Sequence, residues 1–229
     1  LTTQSQSGDV DVYNTAVGYN AGAAVTTGVQ NTLIGGLAGD AITTGNYNTT
    51  LGYKALSSDT AGNRSVAIGR EALLNQNFTS STESYNVAVG YAAGLSVTTG
   101  TLNTLIGGLA GDAITTANNN VAIGYEALTA TTTANSNTAV GTYSGNSNTT
   151  GVANAAFGTA SFLTNTTGGY NTALGADSLR SSTTASNNTA VGYNSLRANT
   201  TAANNTAVGY ASLSANTTGA LNAAFGKDA

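Results

Sequence analysis

The sequence predicts an all-β fold: a parallel β-roll, or β-solenoid, of about thirteen 17-residue coils running as one repeat array over residues 1–229. Three observations predict it. A pentapeptide of the form Asn-Thr-Ala-Val-Gly recurs along the whole chain, ending on Gly18, Gly35, Gly52, Gly69, Gly90, Gly107, Gly124, Gly141, Gly158, Gly175, Gly192, Gly209 and Gly226. Every step between these glycines is 17 residues except Gly69 to Gly90, which is 21. The residue before the glycine is large and apolar in every copy, a regularity that low-complexity disorder does not need.

Each element of the unit can be read with the glycine numbered zero. Position −1 is Val17, Ile34, Leu51, Ile68, Val89, Ile106, Ile123, Val140, Phe157, Leu174, Val191, Val208 and Phe225. It is never polar, which predicts a core-facing column. Position −2 is mostly Ala, and −3 is mostly Thr or Val. A small, β-branched stretch of five or six residues bounded by Asn and Gly reads as a strand. On it, −3 and −1 share one face, while −4, −2 and zero share the other. The glycine itself marks a bend or a close backbone approach that a Cβ would block.

Position −4 is Asn14, Asn31, Asn48, Asn86, Asn103, Asn120, Asn137, Asn154, Asn171, Asn188, Asn205 and Asn222. Stacked coils would align these into a ladder whose side-chain amides hydrogen-bond from coil to coil. Position +3 is always Ala or Ser, and +4 is Leu, Phe or Gly. Together they predict a tightly packed second segment. Thr-Thr stands at +8 and +9 in ten units, often followed by Gly, which marks a turn. The unit therefore reads as two short strands and two turns. A helix fits poorly, since Gly, Asn, Thr and Ser have low helix propensity. At roughly 4.8 Å per coil, thirteen coils would span about 60 Å.

The long step places a loop insertion at 74–85, where four extra residues must bulge from the solenoid. Residues 1–12 form an atypical N-terminal segment. The block NTLIGGLAGDAITT at 31–44 recurs unchanged at 103–116, which points to tandem duplication. The chain starts at Leu1 without Met and ends at Ala229 without a polar cap, so it reads as a piece of a longer fibrous protein or a processed product.

Composition removes several function classes. The chain has no Cys, His, Met, Trp or Pro, so the common nucleophilic dyads and most zinc sites are excluded. No catalytic set, cofactor motif or metal-ligand cluster stands out, and an enzyme is not expected. Asp40 and Asp112 each stand alone, whereas calcium wants six to eight oxygens. The glycines at 35, 36 and 39 lack the Lys-Ser or Lys-Thr of a phosphate loop. The net charge is −4, with six basic residues scattered along the chain, so no nucleic-acid partner is expected. No apolar run in the given sequence is long enough for membrane insertion, and none of it reads as a signal peptide, so membrane insertion of this segment is not expected.

The motifs NTAVGYNAG, RSVAIGREAL, NVAIGYEAL and NTAVGYNSL resemble the head repeats of trimeric autotransporter adhesins, the YadA-type head. They are equally similar to repeats of the same kind in phage tail fibres. The resemblance covers nearly the whole chain. It implies a left-handed parallel β-roll, intertwining or packing as a homotrimer, a location outside the cell on a cell or virion surface, and adhesion to an unidentified host-cell surface or glycan.

Candidate binding residues follow from register. Tyr19, Tyr53, Tyr91, Tyr125, Tyr193 and Tyr210 all stand at +1, an aromatic strip suited either to a ligand or to packing at a turn or subunit boundary. Phe78 and Glu83 break the repeat's chemistry inside the insertion, and Phe78 is a further candidate for surface binding. The Thr columns suggest a second reading, an ice-binding or other flat-surface-binding solenoid. A third reading is a filament subunit that stacks end to end.

Overall fold

The computed structural model describes residues 12–229. Eleven of the twelve residues of the atypical N-terminal segment, 1–11, lie outside the described residues. The fold is all-β, a parallel β-solenoid of about 12 turns with about 17 residues per turn. No helix occurs among the described residues. The chain divides into two units, Leu1–Asn118 and Asn119–Ala229, each of which is a stack of coils.

Unit 1 holds β1 (Thr15–Val17), β2 (Thr32–Ile34), β3 (Thr49–Leu51), β4 (Gly62–Asn63), β5 (Val66–Ile68), β6 (Thr82–Glu83), β7 (Val87–Val89) and β8 (Thr104–Ile106). Its main sheet runs β1-β2-β3-β5-β7-β8, and β4 pairs separately with β6. Unit 2 holds β9 (Val121–Ile123), β10 (Thr138–Val140), β11 (Ala155–Phe157), β12 (Thr172–Leu174), β13 (Thr189–Val191), β14 (Thr206–Val208) and β15 (Ala223–Phe225), paired in sequence order. All pairs are parallel, and equivalent positions face each other, as in Thr15↔Thr32, Val17↔Ile34 and Thr172↔Thr189. The 21-residue step preserves this register: Val66 pairs with Val87, and Ile68 with Val89.

The strands are shorter than the sequence implies, three residues each in the main sheet and two each in β4 and β6, and a regular coil has one strand where two were expected. The second side of the coil is built from turns. Positions −5, +2 and +4 adopt left-handed backbone in coil after coil, for example Tyr47 (φ 60), Lys54 (φ 55) and Leu56 (φ 53). Such repeated αL corners cannot sit inside a β-ladder. Hydrogen bonds still run from coil to coil there: Gly22 N–H donates to the Ala38 carbonyl at 3.0 Å and Thr26 N–H to the Thr43 carbonyl at 2.9 Å.

The zero glycines are required twice over. Gly52 has φ +143, and a Cβ on it would lie 2.5 Å from the Gly69 carbonyl oxygen. Gly175 repeats this against Gly192, with φ +134 and the same 2.5 Å. Successive backbones touch at this corner, so only glycine fits.

The two strand faces are assigned the other way round from the expected core column. Position −2 points inward, with Leu33, Ala67, Ala88, Leu105 and Ala190 fully buried. Position −1 points outward. Val17 is 58% exposed, Leu51 48%, and Phe225 69%; Ile106, Phe157 and Leu174 are also exposed. Ile34, Ile68, Val89, Ile123, Val140, Val191 and Val208 are half-buried. The reason is geometric. The −4 Asn must reach across the lumen to the turn at +10, and Asn31 Nδ2 donates to the Gly45 carbonyl at 2.9 Å. That fixes −4, −2 and zero inside, and period-2 alternation puts −3 and −1 outside. The lumen is filled from the opposite wall by +4 and +7 residues such as Leu56, Leu73, Val25, Ile42, Phe162, Leu179 and Leu196. The +3 residue is Ala or Ser because it is buried tightly in that wall, as at Ala38, Ala55 and Ser178.

Candidate interaction surface

The Asn ladder is present, with a particular chemistry. The side-chain oxygen accepts the backbone N–H of the same position in the next coil, as from Asn48 to Asn31 at 2.9 Å, from Ser65 to Asn48 at 2.9 Å and from Asn171 to Asn154 at 3.0 Å. Amide-to-amide bonds join some coils as well, as from Asn188 Nδ2 to Asn171 Oδ1 at 3.2 Å. Each amide thus satisfies a strand N–H and a turn carbonyl inside the roll, which is how a polar lumen is tolerated. In the coil of Gly69 the position is Ser65, whose hydroxyl lies 2.6 Å from that of Ser84. The ladder is buried from Asn31 to Asn205, so it supports the fold rather than a surface.

The Thr columns divide in two. At +8 the hydroxyl is spent on the next coil, as in Thr26 Oγ1 donating to the Thr43 carbonyl at 3.1 Å and Thr149 Oγ1 to the Thr166 carbonyl at 2.8 Å. At +9 the residues are exposed: Thr27, Thr44, Thr99 and Thr116 in unit 1, and Thr133, Thr150, Thr167, Thr184, Thr201 and Thr218 in unit 2.

The +1 tyrosines, Tyr19, Tyr53, Tyr91, Tyr125, Tyr193 and Tyr210, are all exposed. Two pairs of rings meet between adjacent coils. Tyr193 and Tyr210 stack at 5.4 Å between centroids, and Tyr125 meets Tyr143 edge-on at 5.7 Å. The Glu126 carboxylate beside Tyr125 accepts its hydroxyl and pushes the phenol pKa up.

Phe78 is not a surface residue. It is 6% exposed and plugs the base of the insertion. An apolar ring in a polar loop has more to gain from burial than from display, and here the wider coil provides the space. The exposed residues of the insertion are Asn75, Asn77, Thr79, Ser80, Ser81, Glu83 and Tyr85.

Beneath it lies a buried polar cluster that the sequence reading did not single out. Asp59 is fully buried; its carboxylate accepts from Gln76 Nε2 at 2.6 Å, Phe78 N–H at 3.0 Å and Gly62 N–H at 3.1 Å. Gln76 also donates to Ser65 and accepts from Asn86. Burial pushes the Asp59 carboxyl above its ordinary value, against the bonds from Gln76, Phe78, Gly62 and Ala61 that pull it down. The signal was available: Asp59 and Gln76 occupy +7, where the neighbouring unit-1 coils have Val or Ile.

Arg64 and Arg70 were also missed. The Arg64 guanidinium lies 4.7 Å from the Tyr47 ring centre and 5.8 Å from that of Tyr85, and it ion-pairs with Glu83. Arg70 lies 6.0 Å from Tyr53 and 5.8 Å from Tyr91 and pairs with Glu71 at 3.1 Å. Counting register at −5 as well as +1 would have found them.

Asp40 accepts from the Ser57 hydroxyl at 2.6 Å. Among the described residues no three His, Cys, Asp or Glu side chains gather around a common point, and no helix is long and apolar enough to cross a membrane. Comparison of the chain with family models, with curated proteins and with solved structures returns no match.

Proposed function

We propose that this chain is a structural and adhesive segment of a fibrous surface protein, associating side by side with copies of itself and presenting its exposed flanks to a cell or glycan surface. The observation that carries the reading is the outward apolar column. Large aliphatic and aromatic residues occupy −1 in all thirteen coils, yet a single roll leaves them exposed or half-buried. A contiguous apolar strip of this kind on a soluble chain marks an interaction surface. One thin roll buries few large side chains per coil, and covering the strip would supply the missing burial. The resemblance of the repeat to YadA-type heads and tail-fibre repeats agrees with three copies per assembly and with a location outside the cell. The role is mechanical, carried by shape and surface rather than by bond-making chemistry.

The adhesive half is tested by presenting the assembled protein to cell panels and glycan arrays. Binding that falls at least tenfold when Tyr193 and Tyr210 are both changed to Ser supports the stacked tyrosines as a contact. Full binding by the variant moves the contact elsewhere, and no binding on any panel removes adhesion.

A second reading, a flat-surface or ice binder, is favoured by one observation, the exposed +9 Thr rank, which recurs in ten coils at a coil spacing of about 4.8 Å. Thermal hysteresis that disappears on changing Thr167 and Thr184 to Tyr would establish it. Hysteresis indistinguishable from that of buffer would eliminate it.

A further inference from the structure

The side chains at +1, +2 and +5 form one continuous flank of the roll. Tyr125 donates its hydroxyl to Glu126, and Asn146 Nδ2 reaches the same carboxylate from the next coil at 3.4 Å. Arg180 pairs with Asp177 at 3.1 Å within one coil, and Lys227 Nζ lies 5.6 Å from the Tyr210 ring centre. Along this flank the +1 column drops to Gly or Ala at three places, each beside a tyrosine: Gly36 between Tyr19 and Tyr53, Gly108 after Tyr91, and Ala176 before Tyr193. At each gap the +5 residue of the same coil is charged: Asp40, Asp112 and Arg180. The gaps at Gly36 and Gly108 are therefore acidic, and the gap at Ala176 is basic.

The basic gap has features that the acidic ones lack. A second cation, Arg197, stands at +5 in the next coil, where its carbonyl accepts the Ser181 N–H at 3.1 Å. Asp177 neutralises Arg180, whereas Arg197 is exposed and has no ion-pair partner among the described residues. One positive charge is thus left over, in a chain whose net charge is −4. Tyr193 is backed on one side by Tyr210, at 5.4 Å. On its other side the +1 residue is Ala176, so no ring covers that face. Ring and gap are held in adjacent coils by the Asn194 N–H, which donates to the Ala176 carbonyl at 3.1 Å. The Asn194 side-chain oxygen is buried and accepts no hydrogen bond among the described residues.

An uncovered tyrosine face takes an apolar surface, and an unpaired guanidinium takes a carboxylate through two parallel hydrogen bonds. A sugar ring bearing a carboxylate presents both, a C–H face and a planar anion. We propose that the gap at Ala176, with Tyr193 and Arg197, is a binding subsite for a carboxylated saccharide, a uronate residue of a polysaccharide. The sugar ring lies on Tyr193, its carboxylate pairs with Arg197, and Arg180 adds to the positive potential there. The Asn194 amide, turned outward, serves a ring hydroxyl. The carboxylates of Asp40 and Asp112 at the other gaps repel the same ligand, so it is confined to one height on the roll. The proposal rests on the adhesive reading above and assigns it a ligand class.

The test is calorimetric titration of the full chain with a galacturonate oligosaccharide. The carboxyl-reduced form of the same oligosaccharide is the neutral control, and oligoglutamate is the acidic control. The uronate should bind about tenfold or more tighter than either control. Arg197→Gln and Tyr193→Ser, both at exposed side chains, should each weaken it by about tenfold or more. Lys54→Gln removes the same charge from unit 1 and should leave binding unchanged. Equal binding of the reduced form, or full binding by Arg197→Gln, overturns the carboxylate contact. Equal binding of oligoglutamate, or full binding by Tyr193→Ser, reduces the gap to a patch of charge and overturns the saccharide. A chain that attaches to cells or to other glycans but not to the uronate overturns the subsite and leaves adhesion standing. A chain that attaches to none of them removes the adhesive reading as well.

Discussion

Four coils of unit 1 and four of unit 2 fill the same space from opposite positions. In unit 1, the coils of Gly18, Gly35, Gly90 and Gly107 carry Gly at +4 and Val25, Ile42, Val97 or Ile114 at +7. In unit 2, the coils of Gly124, Gly158, Gly175 and Gly192 carry Leu128, Phe162, Leu179 or Leu196 at +4 and Thr131, Asn165, Ser182 or Asn199 at +7. The backbone at +4 is left-handed in both, with φ 55 at Gly39 and φ 47 at Leu179. The difference therefore lies in the lumen and not in the turn. A Cβ on Gly39 would lie 2.8 Å from both Ile42 Cδ1 and Leu33 Cδ2, so those side chains already occupy the space that Leu fills elsewhere. The apolar volume of a coil enters from +4 or from +7 and −2, except in the coil of Gly141, where Gly145 leaves the space to Leu128 of the neighbouring coil. The polar +7 residues then find work as turn caps: Asn165 Nδ2 donates to the Gly168 carbonyl at 3.0 Å, and its Oδ1 accepts the Gly168 N–H.

If the frame is common and the filling is exchangeable, substitutions at the frame should hurt both units alike. Gly52→Ala in unit 1 and Gly175→Ala in unit 2 each add a forbidden φ and a backbone collision. Each is expected to cost about 4 kcal/mol or more in chemical denaturation. A loss below about 1 kcal/mol at either site would mean the coils are not held at the described spacing.

The filling can be tested by conversion. Gly39→Leu alone overpacks a unit-1 coil and should cost about 1–3 kcal/mol. Adding Leu33→Ala and Ile42→Asn recreates the unit-2 pattern, and thermal melts should recover to within about 1 kcal/mol of the native chain. A triple variant worse than the single one would show that the two fillings are not equivalent.

Asp59 belongs to one of the two unit-1 coils that carry the filling otherwise seen in unit 2, with Leu56 or Leu73 at +4 and Asp59 or Gln76 at +7. Burial raises its pKa in the folded chain. A carboxyl with a raised folded value contributes most below its unfolded pKa, and that contribution is lost as pH rises through the folded one. The stability difference between native chain and Asp59→Asn should therefore favour the native chain most at acidic pH and shrink toward neutrality. A difference that grows with pH would mean that the carboxylate's hydrogen bonds outweigh its desolvation.

The smallest effect belongs to Ser182, a +7 residue of unit 2 whose hydroxyl is buried without a hydrogen-bond partner among the described residues. Ser182→Ala should be neutral or stabilise by up to about 1 kcal/mol. A clear loss would show the hydroxyl to be engaged.

Much of this was readable from period alone. The glycines at zero, the Asn ladder, the small +3 residue and the strand at −3 to −1 all follow from a 17-residue register in which only certain side chains recur. The orientation of the strand was not readable, because alternation defines two faces without saying which is inside, and the larger residues at −1 pointed to the wrong one. Under the proposed association, their size serves a contact made outside the single roll. The second side of the coil was misread as a strand because αL corners at Lys54 or Leu56 have no compositional mark when the residue is not Gly. Phe78 was misread because a loop's exposure is a property of its neighbours, here the Asp59 and Gln76 network that gives it a buried seat. Arg64 lay at −5, outside the column being counted, and Arg70 lay within the +1 column but was passed over because only its tyrosines were read.

The account turns on the outward apolar column being a surface between copies. Light scattering coupled to size exclusion measures this directly. The expected mass is three times 22.5 kDa, falling toward 22.5 kDa when Leu51, Ile68 and Val89 are changed to Ser. A native chain that stays at 22.5 kDa across the accessible concentration range would contradict it, leaving the column as exposed surface on a roll that holds itself together.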